Sequence, residues 1–287
     1  MVMADAKIQS SLMATILITG ATGAVGGAAA NTLAKGGHRL VLLGRDSDRL
    51  TIATRALVEA RPGLAVETSV CDLSSLGSVR GVASDLISRF PRIDALVNSA
   101  AVFVPDRRLT SENLETMFVT NHLGPFLLTN LLLNRLRESA PSRVITVSAP
   151  STTEIDFEDL QGERKWSALT QFGRTKMANL LFAYGLARRV PATHVTSNVL
   201  FPGLVKSGLM KDANAAVRGL SGLMSKSPEA AGLALARLAV DQSVSQVSGQ
   251  FYKLSKPDSS NAYSHDRPTQ DRLWALSEHL SGLGPGG

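Results

Sequence analysis

The chain has a single cysteine, Cys71, in 287 residues. A lone thiol excludes an intrachain disulfide framework and a multi-cysteine metal site, and no metal is expected. Cys71 ends an apolar run, so it reads as a buried structural thiol, and it fits a reducing, cytoplasmic compartment. Aromatic residues make up only 5%, and no run of basic residues interleaves with them. The formal charge of +6 therefore reads as a solvated basic surface that suits an anionic cofactor, and no nucleic-acid partner is expected. Also missing is the uninterrupted stretch of about 20 apolar residues that a spanning helix needs. The apolar segment from Leu12 to Ala30 is broken by glycines and threonines between Thr19 and Gly27, and no basic segment precedes it. It reads as a buried strand, a turn and a helix, without a membrane anchor. Internal repeats, low-complexity segments and linkers are likewise missing.

What is present is a core. Hydrophobic residues reach 44% and charged residues only 19%, which excludes global disorder. Short β-branched or apolar runs alternate with longer helical patterns. Strands are expected at Ala14–Thr19, Arg39–Leu43, Ala65–Val70, Asp94–Val97, Arg143–Val147, Val195–Leu200 and near Gln250–Leu254. Helices are expected at Ala24–Ala34, Asp46–Ala60, Leu76–Phe90, Thr170–Arg189, Pro228–Val240 and Asp271–Leu280. A long helical region at Leu109–Leu136 is expected to bend near Gly124-Pro125. Such alternation implies right-handed βαβ units, hence a single doubly wound α/β domain over 1–287 with a parallel sheet of about seven strands.

The first strand runs into Thr19-Gly20-Ala21-Thr22-Gly23-Ala24-Val25-Gly26-Gly27. Glycines allow a tight turn and close approach of backbone to a pyrophosphate, and the following helix offers free N–H groups and a positive dipole end. Between a first strand and a first helix this is a Rossmann-type dinucleotide signature. Gly20, Thr22, Gly23, Ala24, Val25 and Gly26 are the expected phosphate-side residues. The second strand ends Gly44-Arg45-Asp46. An Arg about 20 residues past the glycines accommodates the NADP 2′-phosphate, whereas a carboxylate there favours NAD. Asp46 reads as the cap of the next helix, which leaves Arg45 and favours NADP(H) over NAD(H).

These motifs resemble the short-chain dehydrogenase/reductases, and within them the retinol dehydrogenase-like group, from about Ala14 to Leu283. Asp159–Arg164 and Phe182–Arg189 strengthen the likeness to that group. The resemblance implies that Cys71-Asp72-Leu73 supplies the adenine contacts, through Asp72 and Leu73. It implies that Leu96–Ala101 matches the family's Asn-Asn-Ala-Gly segment, with Asn98 and Ala100 at the cofactor. Asn121 takes the place of the family's catalytic Asn. Pro202, Gly203, Val205 and Ser207 take the places that meet the nicotinamide carboxamide. The family's remaining chemistry comes from Ser, Tyr and Lys. The Tyr lies four residues before the Lys, so that both face the nicotinamide; the Lys holds the ribose hydroxyls and the Tyr moves the proton.

Here Lys176 is present, but Phe172 stands at the Tyr position and Ala149 at the Ser position. Ser148 fills the preceding place, whose side chain points away from the substrate. His122 reads as a packed residue, Ser151–Glu154 as a solvated loop, and Trp166 as packing on that loop. Without the phenol, a simple ketone or alcohol loses a general-acid contribution of about 10²–10⁴. The favoured reading is an oxidoreductase whose small-molecule acceptor needs no Tyr acid, such as an iminium or a conjugated carbonyl. Alternatives are a non-redox cyclase or isomerase, a non-catalytic cofactor-binding protein, and an ordinary dehydrogenase inactivated by substitution. Pairing into a homodimer or homotetramer, through the helices matching Leu109–Leu136 and Thr170–Arg189, is a further implication of the resemblance.

Overall fold

The computed structural model describes residues 13–190, 195–206, 208–209 and 227–284. Strands β1 (Thr15–Thr19), β2 (Arg39–Gly44), β3 (Val66–Val70), β4 (Ala95–Asn98), β5 (Ser142–Val147), β6 (Val195–Phe201), β7 (Phe251–Lys253) and β8 (Lys256–Asp258) form one sheet. Their order is β3-β2-β1-β4-β5-β6-β7-β8. The first seven are parallel, and β8 pairs antiparallel with β7. The expected seven strands thus become eight. The extra strand reads Lys-Pro-Asp, fully exposed, with no apolar alternation to announce it. A proline and two charges on an edge strand also block edge-to-edge pairing with another sheet.

Helices cover both faces. They are α1 (Ala24–Lys35), α2 (Ser47–Ala60), α3 (Leu76–Arg89), α4 (Thr116–Phe118), α5 (Gly124–Glu138), α6 (Ala168–Arg189), α7 (Glu229–Val240) and α8 (Arg267–Ser281). Strand side chains alternate between two cores, as the pleat requires. Leu17, Val41, Leu96 and Val144 pack with α3, α5 and α6. Ile16, Ile18, Leu40, Leu42 and Val97 pack with α1, α2 and α7. The chain moves outward from β1 to β3, then returns across β1 to β4. The order therefore reverses between β1 and β4, and in such sheets a crevice opens there, at the carboxyl ends of the strands.

The region expected to be one long helix from Leu109 is divided. Leu109 pairs with Glu115 in an isolated bridge, and Asn113 takes a positive φ of 59°, so 109–115 is a loop. Glu115 then caps the start of α4, accepting from the N–H groups of Met117 and Phe118. A π-turn, Val119–Leu123, follows directly and leads into α5. It lies just before Pro125, which has no N–H to give to the helical ladder. The expected bend is therefore a π-turn, and Asn121 and His122 sit inside it.

Helix α6 is buried on all sides from Thr175 to Leu186. Its outer face is closed by α8. The Trp274 ring stacks on Phe182 at 5.8 Å and meets Phe126 edge-to-face at 5.0 Å. The guanidinium of Arg189 lies 4.2 Å over the same indole and also pairs with Asp271 at 2.7 Å. Trp274→Ala is expected to cost about 3–5 kcal/mol, as for other buried Trp truncations. Urea unfolding monitored by far-UV circular dichroism checks it; a loss under about 1 kcal/mol would mean that α8 contributes little to the fold.

Candidate active site

The site is built where β1 and β4 end. Gly20 follows β1 with φ +64°, a left-handed conformation. A Cβ there would lie 2.7 Å from the Cα of Ala100 and 2.9 Å from its N. A Cβ on Gly26 would lie 2.5 Å from the Gly20 oxygen. Neither position admits a side chain. The Thr19 hydroxyl accepts from the N–H groups of Ser99 (3.0 Å) and Ala100 (3.2 Å) and donates to Val97 O at 3.3 Å. In the sequence Thr19 ends the expected first strand and opens the glycine turn; the register of β1 against β4 makes it the tie between the two strand ends.

Helix α1 begins at Gly23 with no side-chain cap and no acidic residue in its first turn. The N–H groups of its first turn have no intrahelical acceptor, and the dipole places positive potential there. By contrast α2, α3 and α8 are capped by Asp46, Ser75 and Asp266. The Asp46 carboxylate is thus occupied, accepting from Asp48 N and Arg49 N. Exposed Arg45 stands beside it at the end of β2. Arg49 reaches back and donates from Nη2 to Thr22 O at 3.0 Å, which sets a second guanidinium against the glycine loop. Reading by motif alone missed Arg49, although its place one turn into α2 was a usable signal.

Beyond β3, Asp72 accepts from the Ser74 N–H (2.9 Å) and hydroxyl (2.7 Å), and Leu73 is buried. At the end of β4, buried Asn98 donates to Thr129 Oγ1, while Asn98 Oδ1 and Ser99 Oγ have no partner. Buried polar atoms without partners cost free energy, so these two mark a place where a ligand group fits. The closely approached glycine turn, the uncapped helix, the two arginines and these orphaned atoms all suit an anionic dinucleotide. Pro202, Gly203 and Val205 follow β6, half-buried, and Ser207 lies outside the described residues.

The side chains expected to act on substrate come together at α6. Phe172 and Lys176 lie one turn apart, with the Lys176 ammonium 5.1 Å from the Phe172 ring centroid. Phe172 meets Phe103 edge-to-face at 5.8 Å, and the same apolar cluster includes Met117, Val102, Val104 and Trp166. Lys176 is only 7% exposed, and this burial pulls its pKa down to about 8. Strand β5 continues in register through Val147, and Ser148 N donates to Leu200 O, so no bulge turns Ser148 toward the cleft. Ser148 Oγ instead donates to the carbonyl of Lys176 at 2.8 Å. Ala149 is half-buried beside it and carries no hydroxyl.

Asn121 serves as a clamp. Its Oδ1 accepts from Val102 N at 2.7 Å, and its Nδ2 donates to Val102 O and to Thr175 Oγ1. His122 turns to the other side, with Nε2 2.9 Å from Ser277 Oγ on α8. Complete burial holds its pKa down to about 4, so it is neutral near pH 7 and takes no part in the cleft. The loop after β5 is less solvated than expected. Ser151 is buried and donates to Gly173 O at 2.8 Å, because the loop folds back on α6, whereas Thr152 and Glu154 are exposed. Trp166 packs beside Gly162 of that loop, and its indole N–H donates to Pro105 O at 2.9 Å. Cys71 is a buried free thiol, pushed up to about 12 chiefly by burial. Among the described residues no helix is long and apolar enough to cross a membrane, and no cluster of ligating side chains could hold a metal.

Comparison with known proteins agrees with this geometry. The family described as short chain dehydrogenase matches residues 14–218. Retinol dehydrogenase 14 of Mus musculus is 36% identical over 288 residues, covering 94% of this chain and 86% of its own. Retinol dehydrogenase 13 of Homo sapiens is 34% identical, covering 94% and 85%. A crystal structure from Mycobacterium paratuberculosis superposes with a TM-score of 0.75 at 27% identity, covering 96% of each chain. With its doubly wound parallel sheet, its glycine turn at the β1–β4 switch point and these relatives, the chain belongs to the short-chain dehydrogenase/reductase family of oxidoreductases.

Proposed function

We propose that this protein is an NADP(H)-dependent reductase of apolar acceptors that need no phenolic acid, such as iminium ions or conjugated carbonyls. One observation carries the reading. At the positions that the resemblance assigns to the family's Tyr and Ser stand Phe172 and Ala149, and Phe172 packs with the Phe103–Met117–Trp166 cluster. Such a wall favours an apolar substrate and offers it no proton. The relatives are named for retinol, itself an apolar alcohol.

The dinucleotide, when bound, supplies the hydride. The chain's own residues bind and orient. The amides of the Gly20–Gly26 turn, with Thr22, Ala24 and Val25, receive the pyrophosphate. Arg45 and Arg49 would flank the 2′-phosphate; exposed Arg45 beyond β2 and Arg49 held at Thr22 O support NADP(H) over NAD(H). Asp72 and Leu73 line the adenine, Asn98 and Ala100 the adjoining ribose side, and Pro202, Gly203, Val205 and Ser207 the carboxamide. The Lys176 ammonium donates to ribose hydroxyls. Asn121 holds the loop at Val102 against α6 and so keeps Phe103 in the wall. A later proton for a conjugated acceptor comes from water.

Titration with NADPH, NADH and their oxidised forms tests the cofactor assignment. NADPH is expected to bind in the micromolar range, and Arg45→Ala or Arg49→Ala to weaken it about 10- to 100-fold, the worth of one charge-assisted hydrogen bond. NADH binding should hardly change; equal losses for both would overturn the phosphate role. A second measurement concerns the missing acid. The wild-type chain should consume NADPH with an apolar enone but not with its saturated ketone. The double change Phe172→Tyr and Ala149→Ser should raise oxidation of a simple alcohol by about 10²–10⁴. Binding without NADPH consumption for either acceptor class would favour the non-redox or non-catalytic readings.

A further inference from the structure

Lys35, Lys165, Lys206, Lys253 and Lys256 are exposed, whereas Lys176 is buried. The groups around its amine are committed elsewhere. Ser148 Oγ donates to the lysine's own carbonyl at 2.8 Å. Asn121 Oδ1 accepts from Val102 N at 2.7 Å. Thr175 Oγ1 donates to Phe172 O at 2.8 Å and accepts from Asn121 Nδ2 at 3.1 Å. Among the described residues no acceptor takes a hydrogen bond from Nζ, and no carboxylate acts on it. What it meets is the face of Phe172. A lone amine beside an apolar wall, with no counter-ion, is the arrangement in which lysine acts as a nucleophile toward carbonyls.

We propose that Lys176 captures apolar aldehydes as imines when the dinucleotide is absent. The neutral amine's lone pair attacks the carbonyl carbon and forms the C–N bond. The carbonyl oxygen collects two protons, both balanced by those lost from nitrogen, and leaves as water. Nothing is oxidised or reduced, and hydrolysis reverses the step. Phe172 and Trp166, the partly buried aromatics packed on Phe103 and Met117, select an apolar chain over a polar one. Capture shares the cleft with the proposed cofactor site, so the two exclude each other; it does not otherwise rest on that reading.

Burial is the one cause that lowers the Lys176 pKa, to about 8. The reactive neutral amine therefore grows as pH rises through about 8 and levels off above it. An exposed lysine, near 10.4, reaches the same fraction only about two pH units higher.

The test uses the full chain, decanal and cyanoborohydride near neutral pH, with adducts located by peptide mass spectrometry. Lys176 is expected to acquire a decyl group at least about tenfold faster than any exposed lysine, given the difference in neutral amine. Lys176→Arg keeps the charge and should abolish that adduct. Glyceraldehyde should show no such preference. Should the variant misfold, the wild-type chain still decides, because near neutral pH the Lys176 adduct must exceed every exposed-lysine adduct with decanal and not with glyceraldehyde. Adducts confined to exposed lysines, or a Lys176 preference equal for decanal and glyceraldehyde, would overturn the proposal. NADPH added beforehand reads the cofactor site separately: an adduct that forms undiminished in saturating NADPH upholds capture and counts against the ribose role of Lys176.

Discussion

The mouth of the cleft depends on how closely the chain leaving β1 approaches the chain leaving β4. Gly20 sits so near the backbone of Ala100 that no Cβ fits between them. The Thr19 hydroxyl closes the gap by accepting two N–H groups from the β4 side. These contacts keep the glycine turn tight and align the uncapped start of α1. Helix dipole, free amides, Arg45 and Arg49 then converge on one electropositive, anion-binding surface. Loosening that approach would move the whole phosphate side at once.

On the substrate side the polar groups mostly hold the protein together. Asn121, Thr175, Ser148 and Ser151 each spend their hydrogen bonds on backbone or on one another. They join the loop after β4, the loop after β5 and helix α6 into one rigid wall. The wall itself is aromatic and aliphatic, and Lys176 is the charged group left within it. Low polarity around that ammonium weakens its charged form, which supports both roles proposed for it, a hydrogen-bond donor to ribose and, deprotonated, a nucleophile.

Helix α8 explains how α6 can be buried all round. A helix buried all round must find partners on every side. The sheet covers one side of α6, and α5 and the π-turn cover the next. The third is closed by Trp274 and its neighbours within the same chain. The His122–Ser277 contact extends this closure to the π-turn that also carries Asn121. The C-terminal helix is thus packed against the reverse side of the residues that shape the cleft.

Much of this was legible in the amino-acid sequence, because its signals are local. The alternation of apolar runs, the glycine turn after the first strand, the Asp46 cap and the spacing of Phe172 and Lys176 all depend on neighbours a few residues apart. The family resemblance followed from the same segments. What tertiary structure decided is whatever depends on distant chain. The eighth strand has no pattern of its own and exists because β7 offers it an edge. The loop before α4 and the π-turn arise where Asn113, Glu115 and Pro125 meet packing from α6 and α8. Arg49 reaches the glycine turn only because β2 lies beside β1. Ser151, written among polar residues, is buried because its loop folds onto α6. The sequence by itself determined which residues are candidates for the chemistry; the tertiary structure decided which of their polar atoms remain free, because hydrogen-bond partners are assigned by proximity in space.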